Sequence, residues 1–122
     1  IIGENCKIGD FVELKACKVG DGTKMSHLTY AGNLVIGKNC NVGAGVVFAN
    51  YDGKDKHTTT VGDDVFIGSS STIVAPVEIK DKAFIAAGSV VNADVPEAAL
   101  AIGRARQVVK TDWKNNKYLK KD

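Results

Sequence analysis

The 122-residue chain sets sixteen Lys and Arg against fourteen Asp and Glu, a formal net charge of +2 that excludes a general nucleic-acid binder, which needs a concentrated basic surface. That length and an ordinary 44% hydrophobic content predict one domain and exclude disordered or collagen-like classes. No apolar stretch approaches the ~20 residues that cross a bilayer, and three cysteines without a CxxC pair argue against a disulfide framework or a zinc site, which points to a reducing, cytoplasmic setting.

In chain order, the sequence opens in mid-pattern at Ile1-Ile2-Gly3 with no signal peptide, as expected of a domain cut from a longer protein. Apolar residues then recur every six positions at Ile2, Ile8 and Leu14, slip to Val19 and resume at Met25. A polar, glycine-punctuated break follows at Ser26-His27-Leu28-Thr29-Tyr30-Ala31-Gly32. A second register runs Ile36, Val42 and Phe48, and a second break spans Asn50-Tyr51-Asp52-Gly53-Lys54-Asp55-Lys56-His57. A third register continues unbroken through Val61, Ile67, Ile73, Ile79, Ile85 and Val91. After Pro96 the repeat ends; Leu100-Ala101-Ile102-Gly103-Arg104 reads as a final strand, Trp113 as the centre of a short cap, and the lysines at 110, 114, 117, 120 and 121 as a solvated tail. The predicted organisation is a repeat domain over 1–96 with loops inserted at 26–35 and 49–60, and a C-terminal strand, cap and basic tail over 97–122.

The six-residue unit is specified at three positions. Glycine often follows the apolar residue, as at Gly3, Gly9, Gly20, Gly37, Gly43, Gly62 and Gly68, and is expected where the chain turns tightly and a Cβ would penalise positive φ. Four residues after the apolar position lies something small or β-branched, including Cys6, Val12, Thr23, Cys40, Val46, Ser71 and Ala83. Such a slot fits beside a neighbouring corner where leucine would overpack, so Cys6 and Cys40 read as structural. Spacing of six does not follow the i, i+3, i+4, i+7 pattern of an amphipathic helix. It predicts an all-β solenoid whose thin core is a ladder of Ile and Val, each contributing roughly 1.5–3 kcal/mol on burial.

The repeat resembles the hexapeptide-repeat proteins, and the resemblance implies a left-handed parallel β-helix. Four segments sharpen it: Lys24-Met25-Ser26-His27-Leu28-Thr29-Tyr30-Ala31-Gly32, Asn41-Val42-Gly43-Ala44-Gly45, Asn50-Tyr51-Asp52-Gly53 and Val74-Ala75-Pro76-Val77. Together they resemble the C-terminal acetyltransferase domain of the bifunctional glucosamine-1-phosphate acetyltransferase/N-acetylglucosamine-1-phosphate uridylyltransferase family, over essentially the whole chain. The activity implied is transfer of acetyl from acetyl-CoA to the amine of glucosamine-1-phosphate, a step toward UDP-N-acetylglucosamine and the bacterial cell wall. No metal is implied for this domain.

The resemblance also implies roles for individual residues. His27 matches the general base, and Glu13 the carboxylate that orients it. The chemistry fits, because a sugar ammonium must lose a proton before nitrogen attacks a thioester, and an imidazole with pKa ~6.5 is largely neutral at pH 7. Read without the motif, His27 is a polar loop residue. Asn50 matches the residue that positions the amine, with Tyr51 adjoining it. Lys15 and Lys56 match lysines that hold the sugar phosphate, with Tyr30 and Asn41 reaching phosphate or sugar; Lys54 and His57 are competing neighbours of Lys56. For the donor, the resemblance points to Ala44, Ser69, Ala87 and Arg104. Small residues at 44 and 87 would let a pantetheine arm lie along the solenoid, Ser69 would bond near the thioester, and Arg104 would pair with a coenzyme A phosphate. Ala44 and Ala87 read equally well as ordinary small residues of the repeat. A homotrimer with active sites between subunits is implied.

The family's N-terminal uridylyltransferase domain has no counterpart in this sequence, so uridylyl transfer is expected to be absent. The sequence also starts just after the position of a family arginine that contacts the sugar phosphate, from which weaker substrate affinity is expected. Other hexapeptide acyltransferases, acting on a different amino sugar or on serine, rank second because they lack the paired His-Leu-Thr-Tyr and Asn-Tyr-Asp-Gly segments. A non-catalytic trimerising solenoid is the alternative of another class. A γ-type carbonic anhydrase needs three zinc histidines, and this chain has only His27 and His57.

Overall fold

The structure, a computed structural model, describes residues 1–113. Short strands wind into a solenoid, three to a full coil. The first coil holds β1 (Lys7–Asp10), β2 (Glu13–Lys15) and β3 (Lys18–Val19), and the second β4 (Lys24–His27), β5 (Tyr30–Gly32) and β6 (Leu34–Ile36). The third holds β7 (Asn41–Val42), β8 (Val47–Ala49) and β9 (Thr59–Val61), and the fourth β10 (Phe66–Ile67), β11 (Thr72–Val74) and β12 (Glu78–Ile79). The fifth has β13 (Phe84–Ile85) and β14 (Val90–Val91), with Val95 bridged to Ile79, and β15 (Leu100–Ala101) begins the next turn. No α-helix occurs among the described residues, and so none is long and apolar enough to cross a membrane. The tail lysines at 114, 117, 120 and 121 lie outside the described residues.

Three parallel sheets form the walls: β1-β4-β7-β10-β13-β15, β2-β5-β8-β11-β14, and β3-β6-β9-β12. Their registers stack the repeat's apolar residues into three interior columns. These are Ile8-Met25-Val42-Ile67-Ile85-Ala101, Leu14-Ala31-Phe48-Ile73-Val91 and Val19-Ile36-Val61-Ile79. Phe48, Met25, Ile67, Ile73, Ile79 and Ile85 are fully buried. The all-β solenoid read from the period is the fold.

The segment 26–35 is not an inserted loop. Its residues are the end of β4, all of β5 and the start of β6, paired in register with the coils on both sides. The repeat looks broken there because Ala31 holds the column position under bulky Phe48, where a larger side chain is the usual signal. The corner that follows is also tight: it turns on Asn33 alone (φ 50°), as the same corner of the first coil turns on Ala16 (φ 52°). The second break is a true excursion. It leaves the third coil after β8 at this same corner and rejoins it at β9, so residues 50–58 stand directly above Asn33.

The repeat glycines are explained by close stacking, not by positive φ. Only Gly22, Gly45, Gly53 and Gly88 lie in the left-handed region, while Asn5, Phe11, Leu28, Asn39, Asp64, Ser70 and Lys82 turn other corners with φ of 51–61°. A Cβ on Gly3, Gly37 or Gly62 would overlap the carboxylate of Asp21, Asp63 or Asp81 from the next coil. Those carboxylates accept backbone N–H bonds from Glu4, Lys38 and Asp63 at 2.7–2.8 Å. The small slot has a second purpose as well. The hydroxyl of Thr23 donates to Gly37 O at 2.7 Å, and the thiols of Cys6, Cys17 and Cys40 reach the carbonyls of Gly20, Ala31 and Gly62 at 3.0–3.2 Å. Burial pushes the Cys40 thiol up, away from the reactive thiolate.

Candidate functional site

The excursion over 50–58 is a small hairpin held by one carboxylate. Asp52 Oδ1 accepts the N–H groups of Lys54 and Asp55 at 2.8 and 2.6 Å, and its Oδ2 lies 2.7 Å from His57 Nε2. These bonds bring Asp52 down to about 2, the backbone N–H of Asp55 contributing most. The hairpin closes at its root, where His57 N–H donates to Asn50 O at 2.7 Å and Tyr51 pairs antiparallel with Lys56. Gly53 turns its tip with φ 98°.

This closure sets Lys56 beside Lys15 of β2. The two ammonium groups face each other, and the Lys15 ammonium holds Lys56 below the ordinary lysine range. Two exposed ammonium groups side by side repel each other, and a bound anion would relieve that repulsion. Beside them, Tyr30 OH donates to Asn50 Oδ1 at 3.3 Å, and Asn50 Nδ2 donates to Asn33 Oδ1 at 2.7 Å. Gly32 makes room for this pair: a Cβ there would overlap both Tyr30 OH and Asn50 Nδ2. Glu13 and Tyr30 are register partners on the outer face of the same sheet. Glu13, Lys15, Tyr30, Asn50 and Lys56 are therefore gathered on one side of the first three coils. Tyr51 projects from the hairpin and is 60% exposed.

The donor candidates fall on a different feature. His27, Ala44, Ser69 and Ala87, scattered along the sequence, are equivalent positions of successive coils at the corner between the first and second sheets. Gly45, Ser70 and Gly88 N–H groups donate to the carbonyls of His27, Ala44 and Ser69 at 3.2, 2.8 and 2.8 Å. The Arg104 guanidinium then reaches back to Ala87 O. With coils about 4.8 Å apart, His27 and Ala87 are separated by roughly 14 Å along a straight track. Among the described residues, no backbone acceptor engages the N–H of Ala44, Ser69 or Ala87.

Two sequence-predicted neighbours are less tightly joined. No hydrogen bond links His27 to Glu13 among the described residues; the register partner of His27 is Asp10. Asn41 stands on the outer face of the first sheet between Lys24 and Phe66. Sequence reasoning left Asn33 unread, took Gly32 only as punctuation of the first break, and missed the closure of the hairpin by Asp52. The one available signal was the Gly-Asn dipeptide immediately after the Tyr-containing segment.

A family profile for the hexapeptide repeat of succinyl-transferase matches residues 33–48 and 58–93, and its gap falls on the hairpin. The bifunctional protein GlmU of Acetivibrio thermocellus is 55% identical over 113 residues, and that of Clostridioides difficile 54% over 121. The chain is homologous to part of GlmU. The match takes in 93% and 99% of this chain but only 24% and 26% of those two GlmU proteins, so the chain spans about a quarter of the relatives it matches. Brevibacillus brevis GlmU, 57% identical, gives the same proportions: 93% of this chain and 25% of the relative. Among solved structures, a GDP-perosamine N-acetyltransferase from Caulobacter crescentus, solved with CoA and GDP-perosamine, shares the fold. It has a TM-score of 0.75 and 24% identity over 84% of this chain and 46% of its own. A serine acetyltransferase from Neisseria gonorrhoeae has a TM-score of 0.67 and 26% identity, over 85% of this chain and 44% of its own.

Proposed function

We propose that this chain is an acetyltransferase that moves acetyl from acetyl-CoA to the amine of glucosamine-1-phosphate, giving N-acetylglucosamine-1-phosphate for UDP-N-acetylglucosamine synthesis. One observation carries the reading: the corner track from Arg104 to His27 ends beside the sheet face on which Lys15 and Lys56 lie together. The homology to GlmU supports the same choice of acceptor.

In this reading the sugar phosphate bridges Lys15 and Lys56, with Tyr30, Tyr51 and Asn41 about the sugar and Asn50 accepting an N–H of the amine. The CoA arm lies along Ala87, Ser69 and Ala44, with Arg104 at its phosphate end. The sugar ammonium first gives one proton to solvent. The amine then attacks the thioester carbonyl, a C–N bond forms, and His27 takes the proton that nitrogen sheds. A backbone N–H such as that of Ala44 steadies the oxyanion. Collapse breaks the C–S bond, and His27 returns the proton to sulfur, releasing the CoA thiol. Glu13 steadies the imidazolium between those steps.

His27, Lys56 and Tyr51 are exposed on the single chain, and an exposed base is poorly shielded from water. That exposure supports a homotrimer in which a neighbouring subunit covers each site. Three free cysteines suit a cytoplasmic setting. The 1–96 repeat domain carries the acceptor site, and the segment after 97 brings Arg104 to the donor track.

Thiol release from acetyl-CoA with glucosamine-1-phosphate tests this, comparing the chain with His27→Ala. Turnover that falls at least a hundredfold in the variant establishes the reaction and its base. Turnover with serine or another amino sugar in place of glucosamine-1-phosphate would replace the acceptor named here. A chain that neither turns over nor binds CoA would be a scaffold.

A further inference from the structure

We infer that Asn33, which has no part in the roles above, is the positioning residue that fixes which end of the Asn50 amide faces the acceptor amine. The inference rests on the acetyl-transfer reading and deepens it.

Asn33 is held by the backbone on both sides. It turns the β5–β6 corner alone with φ 50°, its N–H donates to Lys15 O of the coil below at 2.9 Å, and its carbonyl accepts Thr59 N–H from the coil above at 3.0 Å. Asparagine tolerates this left-handed backbone better than most residues, so the corner can present a side-chain amide without breaking the turn. That amide meets Asn50 at the root of the hairpin, where Oδ1 of Asn33 accepts Nδ2 of Asn50 at 2.7 Å.

An amide group is planar and two-ended. Once its NH2 is committed to Asn33, its oxygen must point the other way, and there it accepts Tyr30 OH at 3.3 Å. Asn50 is only 7% exposed, so water offers little compensation to a flipped amide. The orientation matters chemically. An amine that attacks a carbonyl must donate an N–H to an acceptor while its lone pair stays free, and a carbonyl oxygen with a second lone pair meets that need. A flipped Asn50 would oppose the amine with donors and leave Tyr30 OH without its acceptor.

Two variants separate this role from a structural one. Asn33→Gly keeps a left-handed corner and removes the acceptor; Asn33→Asp keeps an acceptor and removes the possibility of a donor. Asn33→Gly should lower kcat about tenfold or more with the KM for acetyl-CoA unchanged, and Asn33→Asp should recover most of that loss. Full activity in the glycine variant, or an equal loss in both, would overturn the proposal. The side-chain NH2 signal of Asn50 in 15N NMR gives a readout free of turnover. It should be protected from solvent exchange in the unmodified chain and in Asn33→Asp, and exposed in Asn33→Gly. An Asn50 signal indifferent to both changes rules out the lock. Absence of turnover in the unmodified chain would instead overturn the acetyl-transfer reading, and with it the catalytic consequence of Asn33, while the NMR signal still decides the lock.

Discussion

At the scale of single residues, the polar side chains packed between coils are nearly all matched. Thr23, Ser71 and the cysteine thiols donate to carbonyls of an adjacent coil. Thr59 departs from this: its Oγ1 is buried without a partner among the described residues. A buried hydroxyl that has lost water and gained nothing is a net cost. Thr59→Val keeps the shape and removes the hydroxyl, so it should raise stability by about 1 kcal/mol, read as a higher denaturation midpoint at unchanged slope. A lower midpoint would mean that Thr59 has a partner in the assembled protein. The Lys15–Lys56 pair obeys the opposite logic, since its mutual repulsion disfavours the free protein and is relieved by an anion.

In the proposed reaction, the hairpin is the element on which acceptor affinity depends. Its form comes from Asp52, which draws in two backbone N–H groups and His57, and that form holds Lys56 against Lys15. Asp52→Ala should raise the KM for glucosamine-1-phosphate severalfold and leave the KM for acetyl-CoA unchanged, because the donor track lies at another corner. Equal changes in both constants would argue that the hairpin serves the whole fold. The pH dependence follows from the depressed carboxyl. Asp52 falls from an ordinary 3.8 to about 2 on folding, so its stabilising contribution is complete above pH 3.8 and disappears as pH drops through about 2. Titration from pH 4 down to about 2 should therefore loosen the hairpin's amide signals, and signals that stay in place would assign the closure to another group.

For the whole molecule, stability is the sum of coil-to-coil contacts, because each coil touches only its neighbours. The weakest interval to disturb is the one around Phe48, fully buried with Ala31 as its small partner below and Ile73 above. Phe48→Ala would place two alanines one over the other in that column and open a void that neither neighbour can fill. The cost should reach the upper part of the 3–5 kcal/mol range. Chemical denaturation should show a lower midpoint and a shallower slope, as the lower and upper coils unfold separately. A steep, single transition at an unchanged slope would mean that subunit contacts bind the coils together more firmly than the core does.

The period of six was legible in the sequence because an interior column accepts one side chain per sheet per coil, and that demand is local. So was the existence of the second break, while Lys15, Tyr30, Asn50 and Lys56 were named by the family resemblance rather than by the pattern itself. The sequence misjudged the first break, because Ala31 completes a column only by virtue of Phe48 above it, a partner seventeen positions away. It likewise assigned the repeat glycines to turning, when the constraint is the carboxylate or backbone of the next coil. What only the tertiary structure decided is lateral. Stacking in register turns His27, Ala44, Ser69 and Ala87 into one straight track, and a one-residue corner beneath a hairpin sets Asn33 against Asn50. Both depend on which residues of different coils share a height, and a repeat read along the chain leaves that open until the coils are closed.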